Sequence, residues 1–195
     1  MKFINYFLRL LLRKNKSNFI LVTVIVAIMT VIGSFAQTKK APPKNNSPQL
    51  KVGLYKNCTA KRITDGDTVV AICQQKELKI RVFGIDAPET GQKYWGDKAT
   101  KYLVGLIQNK KFDVEIKDID RYGRYVAKII LGTGPNSDLG LEMVKSGNAV
   151  VYYRYNKESA YAVAEQLAKR KKIGIWSTPG AQQNPEKWRK LNKNR

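Results

Sequence analysis

The middle of the chain contains short apolar segments, separated by turn residues, that predict β-strands. The segments "CTAKRIT" and "TVVAICQ" flank Asp65-Gly66, a dipeptide that favours a two-residue hairpin turn. A third strand, "LKIRVFGI", follows after "QQKE", while "FDVEIKD" and "YVAKIIL" flank "IDRYGR" and predict a second hairpin. The pattern therefore predicts five strands in two runs.

Three other segments have the spacing of apolar residues that is typical of helices. "GDKATKYLVGLIQNK" separates the two runs of strands, and "ESAYAVAEQLAKRKK" is acidic at its start and basic at its end, as the helix dipole favours. "SDLGLEMVKSG" predicts a short helix that Ser137 or Asp138 caps and Gly147 ends. This order of elements predicts an α+β domain built on a small, partly open barrel of five strands.

The N-terminal region differs from the rest because it is continuously apolar. The run "FILVTVIVAIMTVIGSFA", residues 19–36, follows a basic stretch without acids. It is long enough to cross a membrane, which takes roughly 17–25 residues, and its last residues, Ser34-Phe35-Ala36, resemble a signal-peptidase site. A retained membrane anchor and a cleaved signal both stay open, with a slight preference for the anchor. Both place the rest of the chain outside the cytoplasm.

Changes in composition divide the chain into four parts. Residues 1–36 are the basic N-terminal region and the apolar segment, and residues 37–54 form a linker rich in Lys, Pro and Asn. Residues 55–178 hold all the predicted strands and helices. Residues 179–195 are basic, and we expect a weakly structured, solvated tail there, with an accessory role in holding a polyanion as the alternative.

The charge and the missing residue types restrict the chemistry. The chain has 36 Lys and Arg residues against 15 Asp and Glu residues, a net charge of +21, which favours nucleic acid or acidic lipid as partner. It contains no histidine, which excludes histidine bases and histidine-ligated metals. Two cysteines cannot form a zinc site of four thiolates. Catalysis would therefore use carboxylates, Lys, Tyr, Arg or a metal held by oxygen atoms.

One group of charged residues gathers at the ends of the predicted strands. Antiparallel pairing of the second and third strands brings Asp67 near Asp86, and two carboxylates without histidine suit Ca²⁺ or Mg²⁺. Arg81 and Arg124 offer planar donors for phosphate oxygens. Glu89 can orient or deprotonate a water molecule. Together these residues suit hydrolysis of a phosphodiester.

The same residues lie in motifs that resemble the thermonuclease family, the staphylococcal-nuclease-like domains. The matching segments are "ITDGDTVVA", "IRVFGIDAPET", "DRYGRYVA", "LEMVKSGNAVV" and "AKRKKIGIWS", in the order of the family and across about residues 55–178. The resemblance implies an OB-type five-stranded barrel with three helices. It also implies Ca²⁺-dependent endonucleolytic cleavage of DNA and RNA that leaves 3′-phosphate ends.

The resemblance also implies a role for each matching residue. Asp67 and Asp86 match the metal carboxylates, and Ala87 matches a position that binds the metal through its backbone carbonyl. Glu89 matches the general base, and the two arginines named above match the phosphate-binding arginines. Tyr153 and Tyr155 match tyrosines of the nucleotide pocket, although ordinary aromatic residues at a strand edge are an equal alternative for this pair.

Two other functions compete with a nuclease. The first is a non-catalytic OB module that binds nucleic acid, which the retained carboxylates argue against because a pure binder has little use for acids facing a polyanion. The second is a membrane-tethered protein whose basic surface meets anionic lipid. We expect DNA and RNA as substrates, the membrane as a partner only if residues 19–36 are retained, no protein partner, and a monomer.

The two cysteines fall opposite each other in the predicted first hairpin. A two-residue turn at Asp65-Gly66 makes Thr64 face Asp67, so facing residues have numbers that sum to 131. Cys58 and Cys73 share this sum, and facing Cα atoms lie within disulfide range. Export would supply an oxidising compartment. We therefore predict a Cys58–Cys73 disulfide, with two free core thiols as the alternative.

Overall fold

The structure is a computed structural model, which describes residues 50–134 and 137–192. Its strands are β1 (Gly53–Ile63), β2 (Thr68–Cys73), β3 (Lys76–Val82), β4 (Ile85–Asp86), β5 (Lys111–Ile119), β6 (Tyr125–Ile130) and β7 (Val150–Val151). Its helices are α1 (Trp95–Ile107), α2 (Leu139–Lys145), α3 (Ser159–Arg170) and α4 (Pro185–Leu191). Two 3₁₀ turns, Gly174–Trp176 and Ala181–Gln183, lie between α3 and α4.

The apolar segment 19–36 and nearly all of the linker lie outside the described residues. Among the residues that are described, no helix has the length and apolar character to span a membrane.

Five strands form a closed barrel in the order β1, β2, β3, β6, β5. β1 pairs with both β2 and β5, and β3 and β6 close the barrel by parallel pairing from Ile80↔Tyr125 to Val82↔Ala127. The five-stranded barrel is therefore confirmed, but the expectation of a partly open one is wrong. The parallel closure joins strands that are distant in sequence, so hairpin patterns do not reveal it. β4 and β7 form a separate two-stranded sheet.

The first hairpin has a longer turn than the sequence predicts. The backbone N–H of Thr64 donates to the carbonyl of Thr68 at 2.9 Å, which leaves three residues, 65–67, in the turn. Ile63 consequently faces Val69, one residue away from the predicted register. The predicted two-residue turn is wrong.

A bulge further along β1 cancels that shift. The register changes between Ala60 and Arg62, and from Ala60 outward it has the predicted value. Cys58 and Cys73 therefore come opposite each other, with their Cα atoms 4.5 Å apart, and form a disulfide. The pairing results from two compensating one-residue shifts that the sequence argument did not contain.

Alternating apolar residues of the strands fill the barrel, and one face of α1 packs onto it. The residues that are completely buried include Val69, Leu78, Ile80, Val114, Ile116, Ile129, Ala99, Leu103 and Ile107. Alternation along the strands and spacings of three and four along α1 put these side chains on the inner faces. The site residues at the strand ends thus rest on a close-packed scaffold.

Short polar contacts fix the helices that follow the barrel. Asp138 caps α2 by accepting the backbone N–H groups of Gly140 and Leu141, and the hydroxyl of Tyr161 on α3 donates to the same Asp138 carboxylate at 2.8 Å. Gly147 ends this segment with a φ of 65°, a left-handed conformation that suits glycine. The capping and the glycine follow the prediction from the sequence.

The C-terminal region corrects the prediction of a weakly structured tail and of three helices only. Asn184 caps α4 by accepting the backbone N–H of Lys187 at 2.9 Å, and Pro185 occupies the first position of the helix. The ring of Trp188 packs so closely on Gly91 that a Cβ there would lie 2.8 Å from the ring. A cap, a proline and an aromatic anchor give this basic segment a defined structure as far as residue 192, where the described part of the chain ends.

Candidate active site

The ends of β2, β3 and β4 bring three predicted site residues together. Thr68 at the start of β2 pairs with Arg81 near the end of β3, and Asp67 precedes that pair directly. The Nη2 atom of Arg81 lies 3.1 Å from Oδ2 of Asp67 and 3.0 Å from Oδ1 of Asp86. Oxygen atoms from the two carboxylates thus converge on one nitrogen atom.

The turn that carries Asp67 packs against the loop that contains Ala87. The backbone N–H of Ala87 donates to Oδ2 of Asp67 at 2.9 Å, and the hydroxyl of Thr68 donates to its Oδ1 at 3.2 Å. A Cβ at Gly66 would lie 2.7 Å from the side chains of both Ala87 and Ala99. The lack of a side chain at Gly66 therefore lets Asp67 approach the loop after β4, which contains Ala87.

Burial of these acids raises the free energy of their charged forms. Asp86 is 2% exposed, and this burial raises its pKa although Arg189 and Arg81 act against the shift. Burial, followed by the charge of Asp67, raises the pKa of Asp65 to about 6. Burial thus disfavours the charged forms of these carboxylates, and positive charge beside them favours those forms.

The donor set fits a hard cation but does not complete its coordination. Asp67 and Asp86 supply converging carboxylate oxygens, which Ca²⁺ and Mg²⁺ prefer. Within the described part of the chain, no group of three or more Asp, Glu or Cys side chains is arranged to hold a metal ion. A cation here would therefore need further oxygens, from backbone carbonyls such as that of Ala87 or from water.

Glu89 lies two residues after Ala87, and contacts of its backbone fix its position. Its N–H donates to Oε1 of Gln92 at 2.8 Å, and a Cβ at Gly96 would lie 2.1 Å from its carbonyl oxygen. The start of α1 therefore packs directly on the backbone of Glu89. Its carboxylate accepts an N–H from Nη1 of Arg189 at 2.6 Å.

Arg189 on α4 is a site residue that the sequence reasoning missed. Its Nη1 and Nη2 atoms donate to the two oxygens of Asp86 at 3.0 and 2.9 Å, besides the contact with Glu89. Partial burial opposes its charge, but the hydrogen bonds to Asp86 and Glu89 raise the pKa of Arg189 above its ordinary value. The Asn-Pro dipeptide before "EKWRKL" was the available signal of a helix start.

Arg124 lies in a cleft that it shares with Arg81. The cleft has a volume of about 510 Å³, and its wall also contains Lys117, Arg121 and Arg154. The Nε atom of Arg124 donates to Oδ2 of Asp120 at 2.8 Å. Although burial acts in the opposite direction, N–H groups of Arg124 and Tyr122 hold the pKa of Asp120 below its usual value. The structure thus places both predicted phosphate-binding arginines in one basic cleft.

The two predicted pocket tyrosines are separated in the structure. Tyr155 lines the cleft of the two arginines and makes an edge contact with Tyr152, with ring centres 5.2 Å apart. The hydroxyl of Tyr153 instead donates to Glu165 at 3.0 Å, and its side chain lines a second pocket of about 320 Å³ beside Pro185. Of the two predicted tyrosines, Tyr155 is therefore the one that is placed to contact a ligand in the cleft.

Comparison with known proteins connects this geometry to a family. The model of the family described as staphylococcal nuclease homologue matches residues 79–178. A micrococcal nuclease of Shigella flexneri is 34% identical over 141 residues, which are 68% of this chain and 80% of that protein. An uncharacterized endonuclease of Haemophilus influenzae is 31% identical over 175 residues, which are 89% of this chain and 86% of that protein.

The match to the family model begins in β3, which carries Arg81, includes Arg124, and ends just after the 3₁₀ turn that follows α3. It covers slightly more than half of the chain, and the two relatives extend the similarity to most of it. The closed five-stranded barrel with its helices agrees with the fold that the sequence resemblance implied. The chain belongs to the staphylococcal nuclease family.

Proposed function

We propose that this protein is an endonuclease that hydrolyses phosphodiester bonds of DNA and RNA. The observation that carries the proposal is the convergence of Asp67 and Asp86 on Arg81, beside a cleft that also contains Arg124. Membership of the family and the nuclease names of the relatives support it. The net charge of +21 would draw a polyanionic substrate to the cleft.

We further propose that Asp67, Asp86 and the carbonyl of Ala87 hold a Ca²⁺ ion. Such an ion, when bound, supplies positive charge to the phosphate and favours ionisation of a nearby water molecule. The all-oxygen donor set without histidine and the family resemblance support Ca²⁺, whose coordination geometry is flexible.

The side chains of the chain itself bind and orient the substrate. Arg81 and Arg124 donate N–H groups to the phosphate oxygens, and Asp120 holds Arg124 toward the cleft. The ring of Tyr155 offers a surface on which a base stacks. Both arginines stabilise the negative charge that increases on the phosphate during the reaction.

Glu89 is the proposed general base. A water oxygen forms the new bond to phosphorus, its proton passes to the Glu89 carboxylate, and the bond to the leaving sugar oxygen breaks. For this role Glu89 must exchange its contact with Arg189 for one with water. The packing of Gly96 on the Glu89 backbone keeps this residue close to the loop that contains Ala87.

Export of the domain is also part of the proposal. The apolar segment 19–36 would direct the chain across a membrane and remain as an anchor or be cleaved. The disulfide between Cys58 and Cys73 supports an oxidising destination.

Digestion of supercoiled plasmid and of RNA by the purified full chain tests the proposed activity. We expect cleavage with Ca²⁺, less with Mg²⁺, and none with excess EGTA or in Asp86→Asn. Glu77→Gln, which removes an exposed carboxylate on β3, is the control and should cleave normally. Full activity in EGTA would refute the cation, and retarded but uncut DNA would identify a binding module instead.

A further inference from the structure

The C-terminal helix places an arginine on the two acids of the proposed mechanism. Arg189 donates to both oxygens of Asp86 at 3.0 and 2.9 Å and to Glu89 at 2.6 Å. Arg81 donates to Oδ1 of Asp86 as well. Asp86 therefore accepts three N–H groups, whereas a carboxylate has about four acceptor positions in total.

The same oxygens are the ones that a cation at Asp86 would need. A divalent cation would have to share Asp86 with two guanidinium groups that leave about one acceptor position free, and their positive charges would repel it. One of the two arginines therefore has to give up its contact when the cation binds.

The two arginines differ in how firmly they are held. Arg81 is 14% exposed in its side chain and also donates to the carbonyl of Val82 at 3.1 Å. Arg189 is 39% exposed and reaches the site from the last helix of the described chain. The Arg189 guanidinium is the more exposed of the two and can turn into water without opening the barrel, so Arg189 is the arginine that moves.

We propose that Arg189 is a third arginine of the active site, which competes with the divalent cation for Asp86 and at the same time occupies Glu89. The inference rests on the proposed function, since it requires a cation at Asp67 and Asp86. Without the cation, Arg189 neutralises the two acids and keeps Glu89 from acting as a base. The cation displaces Arg189 and frees both acids, so Arg189 sets the cation concentration that the enzyme needs.

Calorimetric titration of the full chain with Ca²⁺ tests this competition. Removal of a positive charge next to a binding carboxylate should strengthen cation binding, and for Arg189→Ala we expect a dissociation constant on the order of tenfold lower. Lys187→Ala is the matched control: Lys187 is an exposed cation of α4, and the described side-chain contacts of the site do not include it. The dissociation constant of Lys187→Ala for Ca²⁺ should stay within about twofold of the wild-type value.

A second variant guards against a folding defect in Arg189→Ala. Trp188→Ala removes the ring that packs on Gly91 and loosens α4 while it keeps the arginine. It should lower the dissociation constant for Ca²⁺ by a smaller factor than Arg189→Ala. Circular dichroism of both variants should show the wild-type barrel.

The outcomes separate this inference from the function on which it rests. Unchanged or weaker Ca²⁺ binding in Arg189→Ala would overturn the competition and leave the proposed nuclease intact. An equal gain in Lys187→Ala would also overturn it, because the effect would then come from general charge. Absence of Ca²⁺ binding in the wild type and in Arg189→Ala would overturn the proposed cation and the competition together.

Discussion

Two regions deliver arginines to Asp86 in different ways. The first is the barrel rim, which comprises Asp67 and Arg81 at the strand ends and the adjoining Asp86, and the second is the C-terminal helix α4. Arg81 belongs to a strand that is paired on both sides, and its side chain is largely buried. Arg189 belongs to a short helix that is held by an asparagine cap and one tryptophan ring, and its side chain is partly exposed. We therefore expect the two ion pairs to differ in mobility, because the element that carries the arginine sets the cost of moving it.

This difference implies that the rim and α4 have separate roles in the proposed reaction. The rim provides the fixed groups, which are Asp67 and Arg81 on the close-packed barrel and Asp86 on the adjoining strand β4. The helix adds a group that can leave. Under the proposed function, changes on the rim should alter the turnover rate, whereas changes in α4 should alter the amount of Ca²⁺ required.

The largest expected effect concerns Glu89, which follows Asp86 closely in the chain and contacts Arg189 of the helix. Glu89→Gln keeps the size of the side chain and removes its basicity, so kcat should fall by something on the order of 10²-fold or more. Steady-state cleavage of a short DNA substrate at saturating Ca²⁺ measures it. Glu186→Gln, on the exposed side of α4, is the control. Turnover near that of the wild type in Glu89→Gln would show that another group takes the proton.

The next effect contrasts the two arginines directly. Arg81→Lys loses the planar pair of donors for phosphate, so kcat at saturating Ca²⁺ should fall by roughly tenfold or more. Arg189→Ala should instead lower the Ca²⁺ concentration of half-maximal activity. Activity measured across a Ca²⁺ titration separates the two effects. A loss of kcat in Arg189→Ala as large as that in Arg81→Lys would show that Arg189, like Arg81, acts on turnover and not on the Ca²⁺ requirement.

The disulfide affects the stability of the rim. Cys58 and Cys73 close a loop of the first hairpin, whose turn carries Asp67. The double variant Cys58→Ala/Cys73→Ala should lower the free energy of unfolding by roughly 3 kcal/mol at most, the chain-entropy value for a loop of this length. Urea denaturation measures the change, and dithiothreitol should destabilise only the wild type. Two reactive thiols in the unreduced, unfolded protein would contradict the bridge.

Local sequence patterns predict much of the rim and little of the helix. The hairpins, the cap at Asp138 and the proximity of Asp67 to Asp86 depend on neighbouring strands and short turns, which sequence patterns describe well. The bulge in β1 and the parallel closure through Ile80↔Tyr125 depend on how the barrel closes, which no local pattern contains.

The tyrosine pair shows the same limit. Tyr153 and Tyr155 would share a face if the strand continued, but β7 ends at Val151. The N–H groups of Tyr155 and Asn156 donate to the carbonyl of Tyr152, so a turn replaces the strand. The turn places the two rings in different pockets. Arg189 was missed for a related reason, since its contacts depend on the packing of Trp188 on the distant Gly91.

The smallest expected effect tests whether α4 opens independently of the barrel. Asn184→Ala removes the side chain that caps α4 and should cost the helix about 1 kcal/mol, whereas Asn184→Gly should cost only a few tenths. Hydrogen exchange followed by mass spectrometry should show faster exchange of residues 185–191 in Asn184→Ala, with the barrel strands unchanged. The Ca²⁺ concentration of half-maximal activity should decrease slightly in the same variant. Equal acceleration in β2 and β3 would mean that helix and rim open as one unit, and the mobility that distinguishes Arg189 from Arg81 would then have no structural basis.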